Sequence, residues 1–233
     1  MYNRESIRHA GLSKMKVLPI PLILALILVQ LPFGPSPQEE KPAVEMSPVK
    51  GWWIVTYAAV PSTRYSKARG IIMAESLGTR SSLFKEVGEK ERDYPILSWK
   101  WKVSNVVRSA IETRKDRHDG AARVIVVFGR EKRFKLFSRE PEGLRMEYLW
   151  ASRLPRGQIF DRPGEKDCKI FVLESGEGKA GQWVSETRDL HKDFKTAFHP
   201  DFPGVWAIGI ETDTDHSNEK VTAWYTEPAL KKK

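Results

Sequence analysis

Pro95-Ile96-Leu97-Ser98-Trp99-Lys100-Trp101-Lys102-Val103 puts a large apolar residue at every second position, with Ser98, Lys100 and Lys102 between them. Strict period-two alternation marks a strand with one buried face and one wet face. A charged connection, Arg114-Lys115-Asp116-Arg117-His118-Asp119-Gly120, leads into Ala121-Ala122-Arg123-Val124-Ile125-Val126-Val127-Phe128-Gly129. Apart from Arg123 this second run is apolar and rich in β-branched residues, the pattern of a strand covered on both sides. An amphipathic strand followed by a buried one, with no long helix between, points to an all-β core.

Working outward, short strand-like runs recur with turn residues between them. Strands are expected near 54–58, 70–76, 82–87, 96–103, 121–128, 134–137, 145–151, 169–173, 183–189, 205–212 and 221–227. Such spacing predicts a sandwich or barrel. Short helices are expected over 105–112 and 192–198, the second stopped by Pro200. A hydrophobic content of 40% with eight Trp is enough to pack a core and argues against global disorder. The single cysteine, Cys168, precedes an apolar run, so no intrachain disulfide can form and a buried, inert thiol is expected.

Upstream, a basic segment ending at Lys16 is followed by Val17-Leu18-Pro19-Ile20-Pro21-Leu22-Ile23-Leu24-Ala25-Leu26-Ile27-Leu28-Val29-Gln30-Leu31. Roughly fifteen apolar residues behind positive charge match a secretory core region and fall short of a comfortable membrane span. No small-x-small cleavage site stands out, so a cleaved signal and an uncleaved anchor both remain open. Residues 1–34 are therefore read as signal peptide or membrane anchor. The Pro-rich, charged stretch 35–50 is read as an extended linker, and 51–230 as one folded domain. The protein is expected to be exported, either periplasmic or held at the inner membrane by its N-terminus, and to be a monomer.

Several phrases carry a family resemblance: Pro95 to Val103, Ala122-Arg123-Val124-Ile125-Val126-Val127-Phe128, Tyr148-Leu149-Trp150-Ala151-Ser152, Glu186-Thr187-Arg188-Asp189, and Ile208-Gly209-Ile210-Glu211-Thr212-Asp213-Thr214-Asp215. In this order they resemble the bacterial family catalogued as domain of unknown function 3047, over roughly Trp52 to Tyr225. That family often carries paired aspartates before the buried strand; here the phrase is His118-Asp119-Gly120. The resemblance implies no particular activity. In rhythm, the runs from Gly70 to Trp99 are similar to jelly-roll modules of the galactose-binding and carbohydrate-binding kind, which makes a jelly-roll β-sandwich the expected fold.

Candidate site residues come from charge on alternating strand positions. Lys100 and Lys102, Arg145 and Glu147, and Glu186 and Arg188 each share a face of their strand. They read either as a solvent-facing sheet laced with ion pairs or as a mixed-sign binding face in which Arg–carboxylate pairs hold hydroxyls or acidic groups. Arg123 and Glu186 sit among apolar neighbours, where an unpaired charge is costly, so each is expected to have a partner. Trp99 and Trp101 share their face with Leu97 and Val103 and read as core; Trp150 and Trp224 are the better platform candidates for stacking a sugar ring, although core burial is the favoured reading of each. The ligand-binding candidates are Lys100, Arg123, Glu147, Trp150, Glu186 and Arg188.

Asp213-Thr214-Asp215-His216-Ser217-Asn218-Glu219 offers several oxygens in a short loop, so Asp213 and Asp215 are candidate ligands for calcium, against a plain polar hairpin loop. The loop lacks the glycine and glutamate spacing of an EF-hand. No nucleophile elbow, zinc-protease, phosphate-loop or cysteine metal motif is present. Hydrolysis of a glycan by paired carboxylates could draw on Glu147, Glu186, Asp189 and Asp213. The expectation is a non-catalytic module binding a carbohydrate or another cell-envelope ligand, with no nucleic-acid partner and no membrane contact beyond the N-terminal segment. The alternatives are an enzyme acting on envelope polysaccharide and a structural protein that packs against an envelope partner.

Overall fold

A computed structural model describes residues 47–129, 140–198 and 201–233. The expected signal or anchor, most of the expected linker and the expected strand at 134–137 lie outside those residues. Two sheets pack face to face as a β-sandwich of jelly-roll type, as the sequence pattern implied. The strands are β1 (Trp53–Thr56), β2 (Arg64–Ala68), β3 (Ile71–Leu77), β4 (Ser81–Glu86), β5 (Ile96–Val103), β6 (Gly120–Phe128) and β7 (Arg145–Ala151). They continue with β8 (Ile159–Asp161), β9 (Cys168–Ser175), β10 (Val184–Asp189), β11 (Val205–Asp213), β12 (Lys220–Thr226) and β13 (Ala229–Lys231). One helix, α1 (Leu190–Phe198), follows β10 without a break. A seven-stranded sheet runs β1-β4-β11-β6-β7-β9-β8; a six-stranded sheet runs β10-β5-β12-β3-β2, with β13 also paired to β5. Pairings are antiparallel except β7 with β9.

Strand β5 does what its alternation demands. Leu97, Trp99, Trp101 and Val103 point into the sandwich and are buried, while Lys100 is exposed on the other side. Facing them from the seven-stranded sheet are Val124, Val126, Phe128, Met146, Tyr148, Trp150 and Phe171. Trp101 and Trp150 meet edge to face at 5.8 Å, and Trp99 lies 5.3 Å from Tyr148, separations at which aromatic pairs add to area burial.

The central strands β6, β7 and β11 of the seven-stranded sheet are buried on both faces. The sheet's outer face carries two apolar groups. One is Val55, Phe84, Ile125, Val127, Trp206 and Ala207; the other is Leu149, Ala151, Ile170 and Val172. Gly209 on β11 is required by this packing, since a Cβ there would come within 2.5 Å of the Phe84 ring. Between the two apolar groups lies a cluster of fully buried charge, built from Arg123, Glu147, Glu211 and Asp213.

The segment expected to be helical at 105–112 is irregular, apart from hydrogen-bonded turns. Its amides are taken from outside: Arg108 and Ser109 both donate their backbone N–H to the Glu219 carboxylate, at 2.9 Å each. Val106, Val107 and Ala110 are buried, so the apolar pattern that suggested a helix reflects three anchors of a loop. α1 begins two residues earlier than expected.

Candidate functional site

Arg123 finds its partners, as its sequence context required. Nη1 donates to Glu211 Oε1 at 2.8 Å and to Asp213 Oδ2 at 3.2 Å, Nε lies 3.5 Å from Glu147 Oε2, and Nη2 donates to the His118 carbonyl. Arg162 pairs with Glu147, and Arg80 lies 3.6 Å from both Glu211 and Asp213. Ser82 donates to Glu211 at 2.5 Å. Burial alone would raise the Glu211 pKa, but Arg80, Arg123 and Arg162 outweigh it and hold the carboxyl well below its ordinary range. For Asp213 the balance goes the other way: burial and the adjacent Glu211 push it well above the ordinary value. Gly120 is part of this construction, because the Arg123 guanidinium lies where its Cβ would be, 2.9 Å away. His118 closes one side: its Nε2 is 3.0 Å from Arg162 Nη2 and its Nδ1 2.9 Å from the Lys115 carbonyl. Burial, together with Arg123 and Arg162, lowers its pKa to about 3, so the ring is neutral, accepting from Arg162 and donating to Lys115.

This cluster corrects the grouping expected from sequence. Arg123 and Glu147 are 0% exposed and face each other and their neighbours, not a ligand. Asp213 is likewise enclosed: Oδ2 faces Arg123 and Arg80, and Oδ1 accepts the Asp215 amide at 3.2 Å. Its oxygens face donors, so Asp213 and Asp215 do not converge on a cation. Asp215 instead lies with Asp119 and His216, one ligand atom of each within 4.8 Å of the others. Asp119 there accepts the amides of His216 and Ser217 and the His216 Nδ1, which ties the loop to the start of β6. Donors of the loop thus satisfy Asp119, while Asp215 Oδ1 is buried without a hydrogen bond; a calcium site would need several further oxygens.

Trp150 is 1% exposed and donates its indole N–H to the Gly176 carbonyl at 3.1 Å, so it is core. Lys100 stands exposed on the outer face of the six-stranded sheet. On that same face Lys102 Nζ lies 4.1 Å from the Trp224 ring and 5.5 Å from that of Trp183.

Glu186 and Arg188 are the two sequence candidates brought together at an open surface. β10 forms an edge of its sheet, and pairing Glu186 with Trp99 and Arg188 with Leu97 turns both inward. Opposite stands β9, near the edge of the other sheet. Between them the sandwich opens into a cleft of about 470 Å³. Ile159, Phe171 and Leu173 give it an apolar wall; Arg156, Gln158, Glu186, Arg188, Asp193 and Thr196 give it a polar one.

Most of that polar wall is internally satisfied. Arg188 grips Asp193 on α1 with two hydrogen bonds, at 2.8 and 2.6 Å, and Asp193 also accepts the Tyr148 hydroxyl at 2.7 Å. The bidentate grip docks α1 against the cleft and fixes the guanidinium plane. Arg156 lies 3.4 Å from Glu174, which Lys179 also binds at 2.8 Å. Glu186 differs: among the described residues it has no ion-pair partner, and its inner oxygen Oε1 makes no hydrogen bond. The indole nitrogens of Trp99 and Trp101 are buried and unbonded as well. Burial and the charge on Glu174 raise the Glu186 pKa, and the nearby Trp101 indole, Arg156 and Lys179 offset this only in part. Asp193, Arg156 and the apolar wall were not singled out from sequence. Arg188-x4-Asp193, with the acid at the start of a helix, is the one pattern that could have disclosed the first of them.

Compared with known proteins, the chain is similar to the xyloglucanase domain of NopAA, a type three effector from Sinorhizobium fredii (11% identity, 78% of this chain and 93% of that one, TM-score 0.43). It is also similar to Trichoderma harzianum endoglucanase 3 from family GH12 (7% identity, 79% and 100% covered, TM-score 0.35). A third is a loop-swap mutant of Necallimastix patriciarum Xyn11A (9% identity, 78% and 100% covered, TM-score 0.33). No curated protein matches the sequence. A family model does match, over residues 50–228 and so across all but one of the strands, and the chain belongs to the family described as Protein of unknown function (DUF3047).

Proposed function

We propose that this domain is a non-catalytic binding module and that its ligand is a carbohydrate seated in the cleft between β9 and β10. The observation that carries this reading is the two-sided lining. A sugar ring has an apolar face and a rim of hydroxyls; Phe171, Leu173 and Ile159 suit the first, while Gln158, Glu186, Arg188 and Thr196 suit the second. Arg188 is held rigid by Asp193, so little ordering cost falls on binding at that point. The basic, apolar N-terminal run supports export or tethering of the domain to the cell envelope, where glycans are abundant.

Hydrolysis by paired carboxylates is less well served. A raised Glu186 would suit a general acid, but its nearest charged counterpart, Glu174, is only 4% exposed and clamped by Lys179 and Arg156. Of the other acids considered, Glu147 and Asp213 lie in the buried cluster on the far face of the seven-stranded sheet, and Asp189 pairs with Lys233 at 3.0 Å and accepts the Lys192 amide.

Thermal melting of the purified protein across neutral, acidic and amino-sugar oligosaccharides tests the proposal. At a hundredfold excess over Kd a ligand of the native state adds about 2.7 kcal/mol, which raises the Tm of a domain this size by roughly 5–10 °C. Arg188→Ala should lose the shift. If no oligosaccharide moves the melting point of the wild-type protein, the carbohydrate reading fails.

A further inference from the structure

The charge pattern of the cleft narrows the ligand class, on the assumption that the cleft is the sugar site. We propose that the ligand carries an ammonium group, as an amino sugar with a free amine does, and that this group lands on Glu186. Each of the other charged side chains around the cleft already has a counter-charge. Arg188 has Asp193, Arg156 has Glu174, and Lys179 has Glu174 as well. Neutral or anionic ligands would have to compete with those pairs to use a charge. Glu186 alone among the described cleft residues can take a cation without breaking anything.

Charges from every side of the cleft bear on this point. From β9, Glu174 adds negative potential at Glu186; from the 156–158 loop and the turn after β9, Arg156 and Lys179 add positive potential; Arg188 on β10 and Asp193 on α1 neutralise each other. Of the charges acting on Glu186, that of Glu174 is the largest, ahead of Arg156 and Lys179. The ionised Glu186 carboxylate is itself a negative charge with no counter-charge in an ion pair among the described residues, which repels an anion and attracts a cation. The Trp101 indole lies close enough to favour the carboxylate form, and Oε1 is the buried oxygen, which leaves Oε2 for the ligand. An ammonium would also restore the ionised form of Glu186 that burial disfavours, so binding releases the Glu186 proton where that carboxyl is still partly protonated.

Calorimetric titration of the full-length protein with three oligosaccharides of one length tests the proposal: de-N-acetylated chitin oligomer, its N-acetylated counterpart and cello-oligosaccharide. The buffer should lie below the pKa of the amine and above that of Glu186. The free-amine oligomer is expected to bind about tenfold more tightly than the other two, equivalent to one pKa unit of interaction. Glu186→Gln, which keeps shape and removes charge, should equalise all three. Equal affinities in the wild-type protein, or a preference that survives Glu186→Gln, would overturn the ammonium proposal and leave the carbohydrate reading intact. Failure of all three to bind would overturn the ammonium proposal, and failure of the whole melting panel as well would overturn both.

Discussion

Replacing Arg123 by methionine removes the guanidinium hub of the buried charge cluster while keeping an unbranched chain as far as the position of Nε. In the wild-type protein this guanidinium reaches Glu211 at 2.8 Å, Asp213 at 3.2 Å, Glu147 at 3.5 Å and the His118 carbonyl. Arg162 and Arg80 still neutralise part of the remaining charge, and Ser82 still donates to Glu211 Oε2, but Glu211 Oε1 and the His118 carbonyl lose the Arg123 hydrogen bonds in a buried place. Breaking a buried pair by deleting one partner costs about 3–5 kcal/mol, about a fifth or more of the stability of an ordinary domain. The Tm should fall by roughly 6–20 °C. Urea denaturation gives the cleaner number: the midpoint should drop while the slope stays constant, because the surface exposed on unfolding hardly changes. A cycle with Glu211→Gln then tests the reasoning itself. If Arg123 stabilises the fold by compensating Glu211, the double variant must lose clearly less than the two single losses added together. A loss below about 1 kcal/mol for Arg123→Met, or strict additivity in the cycle, would mean that the cluster is wetter or looser than its geometry implies.

Other consequences are as direct. The His118 pKa of about 3 in the fold lies below the ordinary 6.5, so the unfolded chain binds a proton that the folded ring refuses. Stability should therefore decline as pH falls from 6.5 towards 3, and His118→Gln should flatten that part of the midpoint-versus-pH curve; an unchanged slope would rule out a buried neutral ring. Asp213 has a raised pKa while Glu211 has a lowered one, so amide replacement should cost more at Glu211 than at Asp213. Urea titration of Glu211→Gln and Asp213→Asn checks the ranking, and an equal or larger loss for Asp213→Asn would refute it. Cys168 is fully buried beside Glu147, and burial followed by that charge raises its thiol pKa; a thiol reagent should label it only at the rate of unfolding. Gly209→Ala should cost about 1–3 kcal/mol through its collision with Phe84, read as a lowered urea midpoint.

Local pattern was a good guide wherever local physics decides. β5 and β6 have the extents and burial that alternation and β-branching predict, because a strand facing a core must repeat every two residues. β2, β8 and β13 were not legible: Arg64-Tyr65-Ser66-Lys67-Ala68 is mostly polar, and Ile159–Asp161 and Ala229–Lys231 have three residues each. These are edge or near-edge pieces whose pairing is set by the neighbouring strand. At the site, the polar alternation of Arg145 with Glu147 looked like a wet or ligand-facing surface, yet both residues are buried. Their partners Glu140, Glu165 and Arg162 lie in turns and loops with no marker of their own. Glu211 did carry a signal. It follows Ile208-Gly209-Ile210 in a buried strand, as Arg123 sits within another, and one unexplained charge in each of two buried strands is reason to pair them.

The buried charges also constrain the order in which strands can be matched. Arg123, Glu147 and Glu211 belong to the adjacent strands β6, β7 and β11, on the side away from the sandwich interior. A one-residue slip of any of these strands would exchange its two faces and drive a guanidinium or carboxylate into the stack of Trp101, Trp150 and Tyr148. The apolar residues of β6 are similar enough on its two sides that packing alone would penalise such a slip weakly. Charge makes the wrong alignment expensive, so in this sheet the ions act as an alignment key that matches the consecutive strands β6 and β7 to the distant β11.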